Sequence, residues 1–172
     1  MNTKFKELVP KDFNLNSHVW IYQSDRPFTF AEAIRIEETL KNFAQSWKSH
    51  GTPIKGYANL ILNQFVVFMA DETASGVSGC STDSSVRIVK NIEKDFQVNM
   101  FDRQMLAFII EEKIHLLPLS QINTSLESGF ITTNTLFFNN TILTKEEWLN
   151  KWIIPVKNSW LAVRLAKLKQ AK

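Results

Sequence analysis

IKGYANLILNQFVVFMA, residues 54–70, is the stretch on which the fold turns. Two runs, IKGYANLIL and QFVVFMA, are rich in β-branched, aromatic and aliphatic residues and meet around Asn63, a residue suited to turns. That pattern predicts two strands joined as a hairpin. FVVFMA is among the longest apolar runs in the chain and is strand-sized, far short of the ~20 apolar residues needed to span a bilayer.

Toward the N-terminus, SHVWIYQ (17–23) reads as a strand closed by DRPF. Thr29 then opens TFAEAIRIEETLKNFAQSWKSHG. Thr29 with Glu32 has the spacing of a capping box, Ile36, Leu40, Phe43, Ala44 and Trp47 recur at helical spacing, and Gly51 sits where the helix is expected to stop. Toward the C-terminus, SGVSGCSTDSSVR (75–87) leads into a helical pattern with Val86, Val89, Ile92 and Phe96 on one face, and QMLAFIIEEKIHLL supplies a strand near 105–111. The order βαββαβ predicts an α+β protein with a ferredoxin-like body. Past Pro118, FITTNTLFFNNTIL predicts a β-hairpin turning at Asn139–Asn140. Thr144 and Glu147 offer a second capping box ahead of Trp148 and Trp152, Pro155 breaks that helix, and a last helix is expected from Ser159 with Leu161, Leu165 and Leu168 on one face. The expectation is a single domain over 1–172, with a body at about 15–117 and a C-terminal β-hairpin and helical extension at about 118–172.

At 172 residues, with 44% hydrophobic and 22% charged residues, the chain has an ordinary globular composition. Its single cysteine excludes an internal disulfide or an all-cysteine metal site. The opening residues MNTKFKELVPKDFNL lack the apolar core of a signal peptide, so the sequence reads as cytoplasmic. The net charge of +3 conceals an asymmetry: all 17 acidic residues precede position 151, and the segment after it carries only bases. A generally basic nucleic-acid surface is therefore not expected; a local basic tail is.

Chemistry is best sought in SGVSGCSTDSSVR. Gly76 and Gly79 permit unusual backbone, and Ser81, Thr82 and Asp83 are good N-cap residues, so a helix is expected to start among them. Cys80 would then lie just before unpaired N–H groups at the positive end of the helix dipole, where a thiol pKa falls. The same geometry binds phosphate or carboxylate without catalysis. Ser78, Gly79, Ser81, Thr82, Asp83, Ser84 and Arg87 are the candidate ligand residues, and Cys80 is the candidate nucleophile. A Walker A loop requires G-x-x-x-x-G-K-[ST], and GVSGCSTDSS has no lysine, so the chain is not a P-loop ATPase. The phosphatase pattern C-x5-R fails as well, because Cys80 and Arg87 are one residue too far apart, which swings the arginine about 100° around a helix. The plainer alternative for this stretch is a crossover whose Ser and Thr cap a helix and whose cysteine is buried. Asp71, Glu72 and Asp83 could hold a metal only by proximity, since no spacing rule joins them; no metal and no cofactor is expected.

WIYQSDRPF, DETASGVSGCSTDSSVR, FDR, LFFNN and IIPVKNSWLAVR together resemble an uncharacterised Bacteroidota family often catalogued as "ABC transporter ATPase". The similarity covers nearly the whole chain, and its most specific piece lies at 78–87. The resemblance implies ATP hydrolysis, but it transfers no catalytic residue, because the Walker lysine and an LSGGQ signature are both missing from this sequence.

Arg26, Arg103 and Arg164 fall beside loops or helix ends next to the aromatics Phe28, Phe101 and Trp160 and could line a cleft for an acidic ligand, although pairing with nearby carboxylates such as Asp25 and Asp102 is the commoner fate of such residues. Trp148, Trp152 and Trp160 suggest either a base-stacking platform or the glue of a terminal extension. The functional expectation is a binding or accessory protein taking an anionic small molecule or acidic peptide at 75–87. The alternatives are a thiol-dependent enzyme using Cys80 and a nucleic-acid accessory protein acting through the tail, and the near-balanced charge of the body argues against nucleic acid as the partner.

Overall fold

The computed structural model describes residues 4–71, 73 and 79–163, and for residues 4 and 79–81 it describes the backbone alone. The chain forms two compact units. One is the chain up to Phe101 together with Thr141–Leu149, and the other is Asp102–Asn140 together with the chain from Asn150 onward.

In the first unit a 3-10 turn at Lys4–Leu8 precedes β1 (His18–Gln23) and α1 (Phe30–Ser46). Both halves of the capping box form. The Glu32 N–H donates to Thr29 Oγ1 at 3.3 Å, and the Thr29 N–H donates to Glu32 Oε2 at 2.8 Å. The helix buries Ala33, Ile36 and Leu40, one stripe at helical spacing. It ends before Trp47, which is extended at φ −67° and ψ 127°. Gly51 therefore does not stop the helix. It turns a small hairpin between β2 (Lys48–Ser49) and β3 (Thr52–Pro53), in which His50 and Gly51 both have positive φ, at 48° and 83°.

β4 (Lys55–Ile61) and β5 (Phe65–Asp71) form the expected antiparallel hairpin, turning through Leu62 and Asn63 at φ 53° and 52°. β5 also pairs antiparallel with β1, so the sheet order is β1-β5-β4 with β5 in the middle. Every residue of β5 is buried, which explains an apolar run without polar alternation. α2 (Gly79–Phe96) adds Val89 and Ile92 to a core that also holds Ile36, Leu40, Trp47, Leu60, Val66, Phe68 and Ala70. Phe68 lies edge-on to Tyr22, Phe43 and Trp47 at centroid distances of 6.0, 5.5 and 6.1 Å. Burying a side chain of this size contributes about 1.5–3 kcal/mol.

Three of the four expected body strands lie in this sheet in the order a split β-α-β unit requires. The fourth does not join them. The outer edge of β1 takes Leu143 and Thr144 instead, through a Val19 N–H bond to the Leu143 carbonyl at 2.9 Å and a bridge between His18 and Thr144. The chain is thus α+β with antiparallel sheets, and the fourth-strand position expected of a ferredoxin-like body is filled by a later segment.

In the second unit, β6 (Met105–Ile110) pairs with β7 (Lys113–Pro118) across Glu111 and Glu112, whose φ values are 49° and 61°. The two glutamates form a tight turn at the end of the strand expected near 105–111, and the chain returns as a second strand; glutamate carries none of the turn preference of Asn-Gly. After the short α3 (Ile122–Glu127), β8 (Leu136–Phe138) pairs with β6. It does not pair with the residues just past Asn139–Asn140; its other neighbour is β9 (Ile153–Pro155), reached only after α4 (Lys145–Lys151). The expected hairpin is therefore corrected to a four-stranded sheet, β7-β6-β8-β9. Trp152 fixes the return, accepting from the Asn139 N–H at 2.6 Å through its carbonyl and donating from Nε1 to Asn140 Oδ1 at 3.0 Å. The core of this unit is Leu106, Phe108, Ile122, Ile131, Phe137, Val156 and Leu161. Leu165 and Leu168 lie outside the described residues.

Candidate functional site: a groove between the first helix and an edge strand

β4 is an edge strand, and which of its backbone groups face outward follows from two hydrogen bonds. The Ile54 N–H donates to the Trp47 carbonyl at 3.0 Å, and the Leu60 N–H donates to Asn59 Oδ1 at 2.9 Å. Neither bond goes to β5. Because N–H and C=O of one strand residue point the same way, residues of even number face the open edge and those of odd number bond to β5. Gly56 and Ala58 therefore present their N–H and C=O groups outward between two ends that are already satisfied.

α1 forms the other wall. β1 and β4 are both antiparallel to β5, hence parallel to each other, so the helix connecting them runs back along the sheet. Its far end comes down at Gly56, where a Cβ would lie 2.6 Å from Trp47 Cε3, and only a glycine lets the indole pack there. Glu37, Lys41, Ala44 and Gln45 line the helix side and Gly56, Tyr57, Ala58 and Asn59 the strand side of a groove of about 450 Å³. Tyr57 and Asn59 share one strand face, and Asn59 Nδ2 donates to the Tyr57 hydroxyl oxygen at 3.0 Å. Burial pushes the Tyr57 phenol up from its usual value, with the Asn59 bond acting the other way, so the ring stays neutral at physiological pH.

Of the residues singled out from sequence, 79–84 and Arg87 lie along α2, Arg26 lies in the loop before α1 and Arg103 in the turn before β6, while Arg164 lies outside the described residues. α2 begins at Gly79, earlier than the expected caps at Ser81–Asp83, so Cys80 and Ser81 belong to its first turn. Ser78 and the side chain of Cys80 fall outside the described residues. Thr82 and Ser84 are half-buried, Asp83 and Arg87 are exposed, and Ser85 Oγ donates to the Thr82 carbonyl at 2.7 Å. Arg26 is committed to structure. It makes two parallel bonds to Glu32 at 2.9 and 2.8 Å and a third at 2.8 Å to the Phe96 carbonyl, at the C-terminal end of α2, where a cation is favoured. The Arg26 guanidinium, with bonds from Thr29 behind it, holds the Glu32 carboxyl at about 2. Arg103 is exposed in the turn before β6 and belongs to the other compact unit.

Asp71 is not free for a metal. Asn14 N–H reaches one oxygen at 3.1 Å, Thr73 N–H and Oγ1 reach the other at 3.2 and 2.8 Å, and Lys55 Nζ lies 3.3 Å away, bridging also to Asp12 at 3.0 Å. Burial works to raise the Asp71 carboxyl, but these donors outweigh it and hold it at about 2. Among the described residues no group of three or more His, Cys, Asp or Glu side chains is placed to hold a metal. Trp148 and Trp152 are core side chains at 1% and 0% exposure, so of the three C-terminal tryptophans only Trp160 is exposed.

Lys145 had no signal in the sequence. It is 5% exposed, and its Nζ donates to the carbonyls of Pro10, Lys11 and Phe13 at 2.8, 3.4 and 2.7 Å, fastening the N-terminal segment. The groove was equally hidden, because an edge position depends on strand order; Gly56 inside a strand pattern was the one available hint. Among the described residues no helix is long and apolar enough to cross a membrane. Comparison with protein-family models, with curated proteins and with solved structures found no match to this chain.

Proposed function

We propose that this chain is a binding module and that the groove between α1 and β4 is its ligand surface. The observation that carries the reading is the outward backbone of Gly56 and Ala58 facing a helix wall of Glu37, Lys41, Ala44 and Gln45. Among the described residues no partner completes these backbone groups, and in a concave, partly apolar setting they are what a ligand can complete. A fragment screen followed by amide chemical shifts tests this. Binders are expected to move the Ala44, Gly56 and Ala58 resonances together, and fragments that shift only residues elsewhere would refute the reading.

A second reading is favoured by the start of α2. Its first turn carries no acidic residue, so an anion approaching the N–H groups of that turn would meet no carboxylate belonging to the turn itself. On that reading an anionic small molecule or acidic peptide sits at 75–87, held by Ser78, Gly79, Ser81, Thr82 and Ser84 with Arg87 nearby. Inorganic phosphate should then shift the amides of 79–83, with smaller shifts in Arg87→Ala. The thiol-enzyme alternative requires Cys80 to react with iodoacetamide below neutral pH, and a labelling rate that rises only near the ordinary thiol pKa removes it.

A further inference from the structure

We infer that the α1–β4 groove takes an extended polypeptide segment that adds to β4 as a new edge strand and carries a basic residue followed two positions later by an acidic one. The inference rests on the groove being the ligand surface and adds the class of ligand.

Backbone chemistry selects the ligand class. Gly56 and Ala58 each offer one donor and one acceptor in the plane of the sheet, spaced by two strand residues. A segment lying antiparallel to β4 exchanges both bonds with each of them, the mode by which edge strands recruit peptides. The recruiting stretch is bounded. At one end the Ile54 N–H is already bonded to Trp47, and at the other the Leu60 N–H is bonded to Asn59. The groove therefore accepts a short segment and not an open-ended stack.

Charge sets the sequence of the segment. Glu37 and Lys41 are both exposed on the groove wall, and among the described residues neither has an ion-pair partner. Four residues of helix rise about 6 Å, and two residues of strand advance about 6.7 Å. Side chains at positions k and k+2 of a bound strand, which share one face, thus match the spacing of Glu37 and Lys41. α1 runs opposite to β4, so Glu37 lies toward Asn59 and Gln45 toward Gly56. A segment antiparallel to β4 passes Glu37 first and Lys41 second, which places the basic residue ahead of the acidic one. Ala44 and Ala58 leave room above the strand for the side chains between and beyond them.

The test is panning of a random heptapeptide phage library against the immobilised full-length chain, followed by calorimetry on resynthesised peptides. Enrichment of Lys/Arg-x-Asp/Glu is expected. Ala58→Pro, which deletes one outward donor and leaves the ladder to β5 intact, should weaken binding at least tenfold. Lys41→Glu should change the selected acidic position to a basic one, and this exchange decides the matter should the proline variant fold poorly. Peptides that lose affinity in Lys41→Glu but not in a folded Ala58→Pro overturn strand addition while leaving the groove as the ligand surface. Peptides indifferent to both variants overturn the inference and the groove reading together. No enrichment, or the reverse charge order, overturns the inference alone. So does a dimer seen by light scattering that Ala58→Pro dissolves, since the edge then belongs to a second copy of the chain.

Discussion

Gly56 is a glycine for want of space. Trp47, 3% exposed, packs against Trp20, Phe43 and Phe68, so its ring cannot retreat from a Cβ placed 2.6 Å away. Gly56→Ala is expected to cost about 1–3 kcal/mol, the usual penalty for overpacking, measured by urea unfolding. A variant as stable as the parent would mean that the indole is not fixed there. Two of the depressed carboxylates give a second prediction at this scale. Glu32 and Asp71 are both held at about 2, below the ordinary carboxylate range near 4. Their contribution is fully present above that range and is lost as the pH falls from about 5 toward 2, because the unfolded chain takes up protons first. The melting temperature should fall over that interval, and Asp71→Asn, less stable at neutral pH, should show a shallower fall. Parallel curves for the two proteins would rule the Asp71 contribution out.

Elements differ in what they tolerate. Proline deletes a donor, so its effect reports where an N–H points. Ala58→Pro on the open edge of β4 should change stability by less than about 1 kcal/mol, whereas Val67→Pro in the central β5 should leave the chain unfolded, both read from circular dichroism melts. Lys145 joins two segments distant in sequence. Replacing it by methionine keeps the apolar stem but strands three carbonyls, so a loss of about 2–4 kcal/mol is expected. Faster amide exchange at Ser17 and Val19 should accompany that loss, since the segment it fastens leads into β1.

Across the whole molecule, the two carboxylates held at about 2, Glu32 and Asp71, belong to the unit that contains the β1-β5-β4 sheet. Acid should therefore weaken amide protection in β5 at a pH where β6 is still protected; equal loss in both would contradict this. Local matters were legible in the residues alone: the capped helix after Thr29, the hairpin around Asn63, the Thr144 hydroxyl accepting from the Glu147 N–H, and the α+β class. These follow from side chains acting on their own backbone or on neighbours three or four residues away. Where β6 pairs, what occupies the outer edge of β1, which side of β4 stays open, and which carbonyls Lys145 holds were decided only by the tertiary structure. Each depends on segments tens of residues apart competing for the same edge or the same donor, and hydrophobic periodicity says which face of a strand is buried but not which strand lies beside it.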